Sequence, residues 1–296
     1  MTSPDTASPF TCVLDIGAAL GESPVWSVDE QVLYFVDIHA PSLNRFDPAT
    51  GDNVAMPMPS SIGCVALRRS GGFIVALRDG VWLADRNGHL TQKIADAPYD
   101  PAHHRFNDGR CDLQGRFFAG SMNEQRDASS ASLVRIDTDH TLTVVLRDMT
   151  ISNGLAWSPD GRTMYHADTP TRTIRAFDYD SATGTPSNPR TFASFAGATD
   201  RPDGGAVDSA GNYWTAFYHG GKVVKLSPRS EIIAEYPIPA LCPTMCAFGG
   251  ADLCTLYVTS ARAGRPAEEI ARFPQSGGVF SMRVDTPGRP EPRYAG

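Results

Sequence analysis

Thr150-Ile-Ser-Asn-Gly-Leu-Ala-Trp-Ser-Pro-Asp-Gly161 reads as a polar turn, a short buried strand and a second turn at Ser-Pro-Asp-Gly. The run after it, Arg162-Thr-Met-Tyr-His-Ala-Asp168, alternates like the returning strand of a hairpin. The same hairpin recurs at residues 25–37, 64–77, 111–120, 206–217 and 246–258, where apolar and β-branched runs flank polar or glycine-containing turns. Each is followed by a second hairpin-like piece, as at residues 43–51, 80–85, 132–137, 173–178, 222–227 and 278–283. Six units of two hairpins, at a period in the forties, predict an all-β six-bladed β-propeller of four-stranded blades.

The run Phe10-Thr-Cys-Val-Leu-Asp15 has no partner in its own unit. It is expected to close the ring as a strand of the last blade, removing an exposed sheet edge. Residues 1–296 then form one domain, with residues 1–9 expected to be disordered. Helical character is confined to residues 261–275, where Pro266-Ala-Glu-Glu suits a first helical turn inserted in blade six.

A formal net charge of −7 over 296 residues argues against nucleic acid or an anionic membrane as the main partner. No apolar run reaches the length of a membrane span. The start, Met1-Thr-Ser-Pro-Asp, lacks the basic and apolar regions of a signal peptide. Cysteines 12, 64, 111, 242, 246 and 254 show no C-x-x-C spacing and read as reduced, small apolar side chains. A cytoplasmic protein without an obligate protein partner is the resulting expectation.

Counting back from each hairpin turn finds one equivalent slot per blade. Asn107, Asn153 and Asp203 stand eight residues before Gly115, Gly161 and Gly211; Glu22 stands eight before Glu30, and Gly63 eight before Gly71. Thr244 or Met245 fills the slot in blade six after a one-residue gap. The first strand of each propeller blade lines the central channel, so these slots form a ring at one mouth. Glu22, Asn107, Asn153 and Asp203 all offer oxygen, the donor set of a hard divalent cation. With two anionic donors, positions stay open for water or substrate, which suits catalysis. Taken one at a time, each is also an ordinary strand-end residue; the shared register sets them apart.

Leu20-Gly-Glu-Ser-Pro-Val-Trp26, Arg105-Phe-Asn-Asp-Gly109, Ile151-Ser-Asn-Gly-Leu-Ala-Trp157, Pro202-Asp-Gly204 and Cys246-Ala-Phe-Gly-Gly250 resemble the signatures of the gluconolactonase/regucalcin (senescence-marker-protein-like) family. The resemblance implies a six-bladed propeller that hydrolyses a sugar (aldono) lactone with one divalent metal in the channel. It implies Glu22, Asn153 and Asp203 as metal ligands and Arg105 and Asn107 as substrate contacts. The family's substrate-contacting glutamate aligns with Gln125 in Gly120-Ser-Met-Asn-Glu-Gln125; Glu124 is adjacent, a one-residue shift that in a strand points to the other face, and both are candidate substrate contacts. Calcium, zinc, manganese, magnesium and Fe(II) all accept such donors.

Asp203 is the candidate proton acceptor as well as a ligand. His219, in Tyr-His-Gly-Gly, begins a turn near the channel and is a further candidate substrate contact. His103 and His104 read as rim residues, His39 and His166 as structural, and Trp26, Trp157 and Trp214 as blade core. No G-x-S-x-G elbow or H-E-x-x-H motif is present. Two other readings fit the same scaffold: an organophosphate-type esterase, and a calcium-binding or regulatory propeller without turnover.

Overall fold

The inner strand of each blade is buried along most of its length, and six such strands make a ring. The computed structural model describes residues 8–296. Blades one to five are consecutive four-stranded antiparallel sheets at residues 21–57, 62–96, 104–149, 152–194 and 201–237. Blade six takes its inner three strands from residues 243–283 and its outermost from Thr11–Leu14, which pairs antiparallel with Val279–Arg283. The inner strands Gly21–Ser27, Ile62–Leu67, His104–Cys111, Ser152–Trp157, Arg201–Val207 and Pro243–Gly249 each contact the next, so the ring is closed. The expectation for residues 1–9 falls largely outside the described residues; within it, Ser8 Oγ donates to Pro237 O at 2.7 Å.

Each pair of neighbouring blades shares one apolar layer. In the strand Val32–Asp37, Val32, Tyr34 and Val36 face blade two, while Leu33 and Phe35 face blade six. Strand alternation explains the run of apolar residues: successive side chains point to opposite faces, and here both faces are covered. The tryptophans sit in these seams. Trp26 stacks on Tyr257 between blades one and six, Trp157 meets Phe118 between four and three, and Trp214 meets Phe248 between five and six. All six cysteines are free; Cys64, Cys111 and Cys246 lie in the same layers.

The insertion in blade six holds the expected helix, Ala267–Arg272. It is tied by an ion pair from Arg265 to Glu269 at 2.5 Å. Residues 287–296 run across the opposite end of the channel, touching turns from several blades. Ser209 N donates to Pro287 O, Gly288 N to Leu253 O, and Ala295 N to Gly115 O, while Arg293 pairs with Asp29. Tyr294 is fully buried, and Arg110 in the channel is paired with Glu291 of this segment.

Candidate active site

The ring slots are aimed by β-bulges. Every inner strand loses register with its neighbour beside its slot: between Glu22 and Val25, Ile62 and Cys64, Phe106 and Gly109, Asn153 and Ala156, Pro202 and Gly205, and Pro243 and Cys246. A bulge sets extra residues against its partner strand, bends the chain and redirects the side chain at that point. Six equivalent bulges place six equivalent positions around the channel, and four of them, Glu22, Asn107, Asn153 and Asp203, line one cavity.

A cavity of about 250 Å³ opens there, lined by Glu22, Asn107, Asn153 and Asp203. It is slightly smaller than typical ligand pockets, which run roughly 300–1,000 Å³. Asp37 and Asp168, each ending the second strand of its blade, hold the approach loops in place. Asp37 accepts N–H bonds from Ala19 and Leu20, and Asp168 accepts from Thr150 and Ile151. Blades two and six give the ring no carboxylate or amide. A Cβ on Gly63 would lie 2.3 Å from the Phe106 carbonyl carbon, so the close packing of blades two and three demands glycine there. Thr244 Oγ1 is turned instead to Gly21 O and Thr259 Oγ1.

The oxygen donors form a partly wired set. Asn107 Nδ2 donates to Asn153 Oδ1 at 2.8 Å, and Asn153 Nδ2 donates to Thr169 Oγ1 at 2.7 Å. Arg105 Nη1 donates to Asn107 Oδ1 at 2.7 Å, while its Nε is buried and bonded to nothing. Asp203 Oδ1 is likewise buried and accepts no hydrogen bond. Burial, then the charges of Asp203 and Asp108, push the Glu22 carboxyl well above its usual range. Burial and Asp108 do the same to Asp203. Burial lowers the Arg105 guanidinium to about 10, so it stays charged at neutral pH.

Glu22 and Asp203, both at least nine-tenths buried, crowd negative charge that Arg105 only partly offsets. A buried, unpaired carboxylate oxygen is costly unless a cation or a proton meets it. Among the described residues no three His, Cys, Asp or Glu side chains converge; the third oxygen donor, Asn153, is an amide. The arrangement fits a hard cation held by Glu22, Asn153 and Asp203.

Around this ring the lining differs from the sequence reading in three places. Glu124 lines the cavity, bound by Arg78 at 2.7 and 3.0 Å and 3.8 Å from Arg105 Nε, whereas Gln125 does not line it. The strand ends at Asn123, whose Oδ1 accepts the N–H groups of Gln125 and Arg126, so alternation does not extend to Glu124. Gln125 Nε2 lies instead 3.5 Å from His103 Nδ1. His219 stands beside the cavity rather than in its wall: its ring contacts Arg265 and Cys242, and its neighbour Tyr218 supplies the lining. His39, read as structural, does line the cavity. His166 is buried against Ser152 Oγ at 2.7 Å, consistent with a structural role.

The SMP-30/Gluconolactonase/LRE-like region matches residues 20–262. The chain is 48% identical over 287 residues to a 6-deoxy-6-sulfogluconolactonase of Pseudomonas putida, covering 96% of this chain and 98% of that one. It is 36% identical over 277 residues to regucalcin of Xenopus laevis, covering 92% and 93%. Among solved structures, a calcium-binding protein, regucalcin, from Agrobacterium tumefaciens superposes with a TM-score of 0.93 at 28% identity, over 98% of this chain and 99% of that one.

Proposed function

The chain belongs to the SMP-30/gluconolactonase/LRE-like family, and from that premise we propose that it opens a sugar lactone to the aldonic acid with one divalent cation held by Glu22, Asn153 and Asp203. Its sulfogluconolactonase relative supports hydrolysis of a cyclic ester of a sugar acid, and the small cavity, lined by polar and apolar side chains, suits a monosaccharide-sized substrate. The observation that carries the cation is Asp203 Oδ1, buried without a hydrogen-bond partner beside a second buried carboxylate. Calcium is supported by the relative described as calcium-binding, although oxygen donors serve magnesium, manganese, zinc and Fe(II) as well.

When bound, the cation would act as a Lewis acid towards the lactone carbonyl. The chain's own residues do the rest. Arg105, anchored on Phe106 O and Asn107 Oδ1, lines the cavity beside Glu124, where substrate hydroxyls would be oriented. Asp203 would take the proton of the attacking water through the carboxylate oxygen that the cation leaves free. We place the protein in a reducing, cytoplasmic setting on its six free cysteines.

The test pairs turnover with binding. Asp203→Ala is expected to abolish lactone hydrolysis and weaken calorimetric cation binding; a variant with near-normal rate removes Asp203 from the chemistry.

A further inference from the structure

Besides Arg105, two further arginines line the cavity. Arg126 and Arg201 both line it, yet neither has a carboxylate within ion-pair distance among the described residues. Three of the acidic groups nearby are already engaged, Glu124 with Arg78, Glu269 with Arg265 and Asp200 with Lys222, and the other two that line the cavity, Glu22 and Asp203, are the carboxylates assigned to the cation. Arg201 Nε is buried and donates to nothing.

Both arginines are positioned by the backbone. Arg201 opens the inner strand of blade five, two residues before Asp203. Arg126 follows the second strand of blade three in left-handed conformation (φ 58°), its N–H held by Asn123 Oδ1 at 3.2 Å. Both line the same cavity as Tyr218, the neighbour of His219, and burial, then Arg265, Arg201 and Arg126, lower the His219 imidazole below its usual range. In a chain of net charge −7, this basic group runs against the overall balance and would draw an anion to the mouth.

We propose that Arg126 and Arg201 form an anion subsite that binds a sulfonate, phosphate or carboxylate on the exocyclic end of the lactone. The proposal rests on the lactonase reading and narrows its substrate to sugar lactones with a fixed negative charge. Guanidinium forks match a tetrahedral or planar oxyanion with two parallel N–H bonds, which a hydroxyl cannot accept. The carbonyl would lie at the ring of oxygen donors and the charged end at the rim.

The test compares cation-loaded wild type with Arg126→Gln/Arg201→Gln on glucono-1,5-lactone and its 6-phosphate, 6-sulfonate and 6-carboxylate counterparts. The ratio of kcat/KM for charged over neutral lactone is expected to exceed one in the wild type and to fall about 10–100-fold in the double variant. Arg126→Lys/Arg201→Lys is expected to recover part of the ratio. A wild-type ratio of one or below, or charged and neutral rates falling in parallel, overturns the subsite; the best substrate identifies the anion. Calorimetric binding of 6-phosphogluconate against gluconate reads the subsite without turnover. Protein that hydrolyses no lactone yet prefers the charged acid keeps the subsite and loses the lactonase reading. Protein that hydrolyses the neutral lactone yet binds both acids equally does the reverse.

Discussion

Asn107 Nδ2 donates to Asn153 Oδ1 at 2.8 Å, linking a proposed substrate contact on blade three to a proposed cation ligand on blade four. Thr169 Oγ1 accepts from the other end of the Asn153 amide at 2.7 Å and donates to Pro202 O at 3.1 Å, beside Asp203. The Asn153 amide is thereby held at both ends, its oxygen by Asn107 and its nitrogen by Thr169. Removing such outer support typically costs about 10–100-fold in metal affinity. Thr169→Val is expected to weaken cation binding by that factor with little loss of fold. Calorimetric titration checks it, and wild-type affinity would dissociate Thr169 from the site.

The raised carboxyls give a pH signature in the cation-free protein. Glu22 and Asp203 hold protons in the folded state at pH values where the unfolded chain has released them. Their contribution to stability is therefore full below the unfolded carboxyl pKa and is lost as pH rises through the raised folded values. Stripped wild type should lose melting temperature from about pH 4 upwards relative to Glu22→Gln, whose amide carries no charge. Added cation should restore the wild type and leave the variant unmoved. Parallel melting curves for the two proteins across pH would contradict this.

The end of the channel away from the mouth is closed by an ion pair. Arg110, buried among the inner strands, donates to Gly205 O at 2.8 Å and pairs with Glu291. Glu291→Gln leaves that guanidinium without its countercharge, a loss typically of roughly 3–5 kcal/mol. A drop of that order in chemical denaturation is expected, with cation affinity at the far mouth little changed. A change below about 1 kcal/mol, the range of exposed pairs, would mean that water screens Arg110.

Gly63→Ala tests the packing behind the ring. Its Cβ would meet Phe106 C at 2.3 Å and Asn107 N at 2.7 Å, both backbone atoms that can move only with the bulge. Overpacking of this kind costs typically 1–3 kcal/mol. The variant should lose stability on that scale and hydrolyse lactone more slowly, because Asn107 moves with its backbone. Unaltered turnover would show that the bulge of blade three does not aim Asn107.

The repeat was legible because turn glycines and alternating runs recur, and strand length fixes the distance from turn to mouth. Glu22, Asn107, Asn153 and Asp203 could be found by that count alone, and they do line one cavity. The bulges that aim them carry no composition signal. Gly63 looked like an absent ligand because the backbone it accommodates belongs to another blade. Glu124 was obscured by extending alternation past Asn123, where a side chain–backbone turn ends the strand. Arg126 and Arg201 carry no sequence signal; their shared cavity sets them apart. Residues 287–296 lack periodicity because their hydrogen bonds run to turns of other units rather than to a regular ladder.

The most direct measurement is acid release from glucono-1,5-lactone and glucono-1,4-lactone by chelator-stripped protein, with calcium, magnesium, manganese, zinc or Fe(II) restored in turn. Hydrolysis above the spontaneous rate only after a cation is added, and lost in Asp203→Asn, is the expected result. Full activity in stripped protein, or cation binding without hydrolysis of any lactone in the charged and neutral panel, would contradict it.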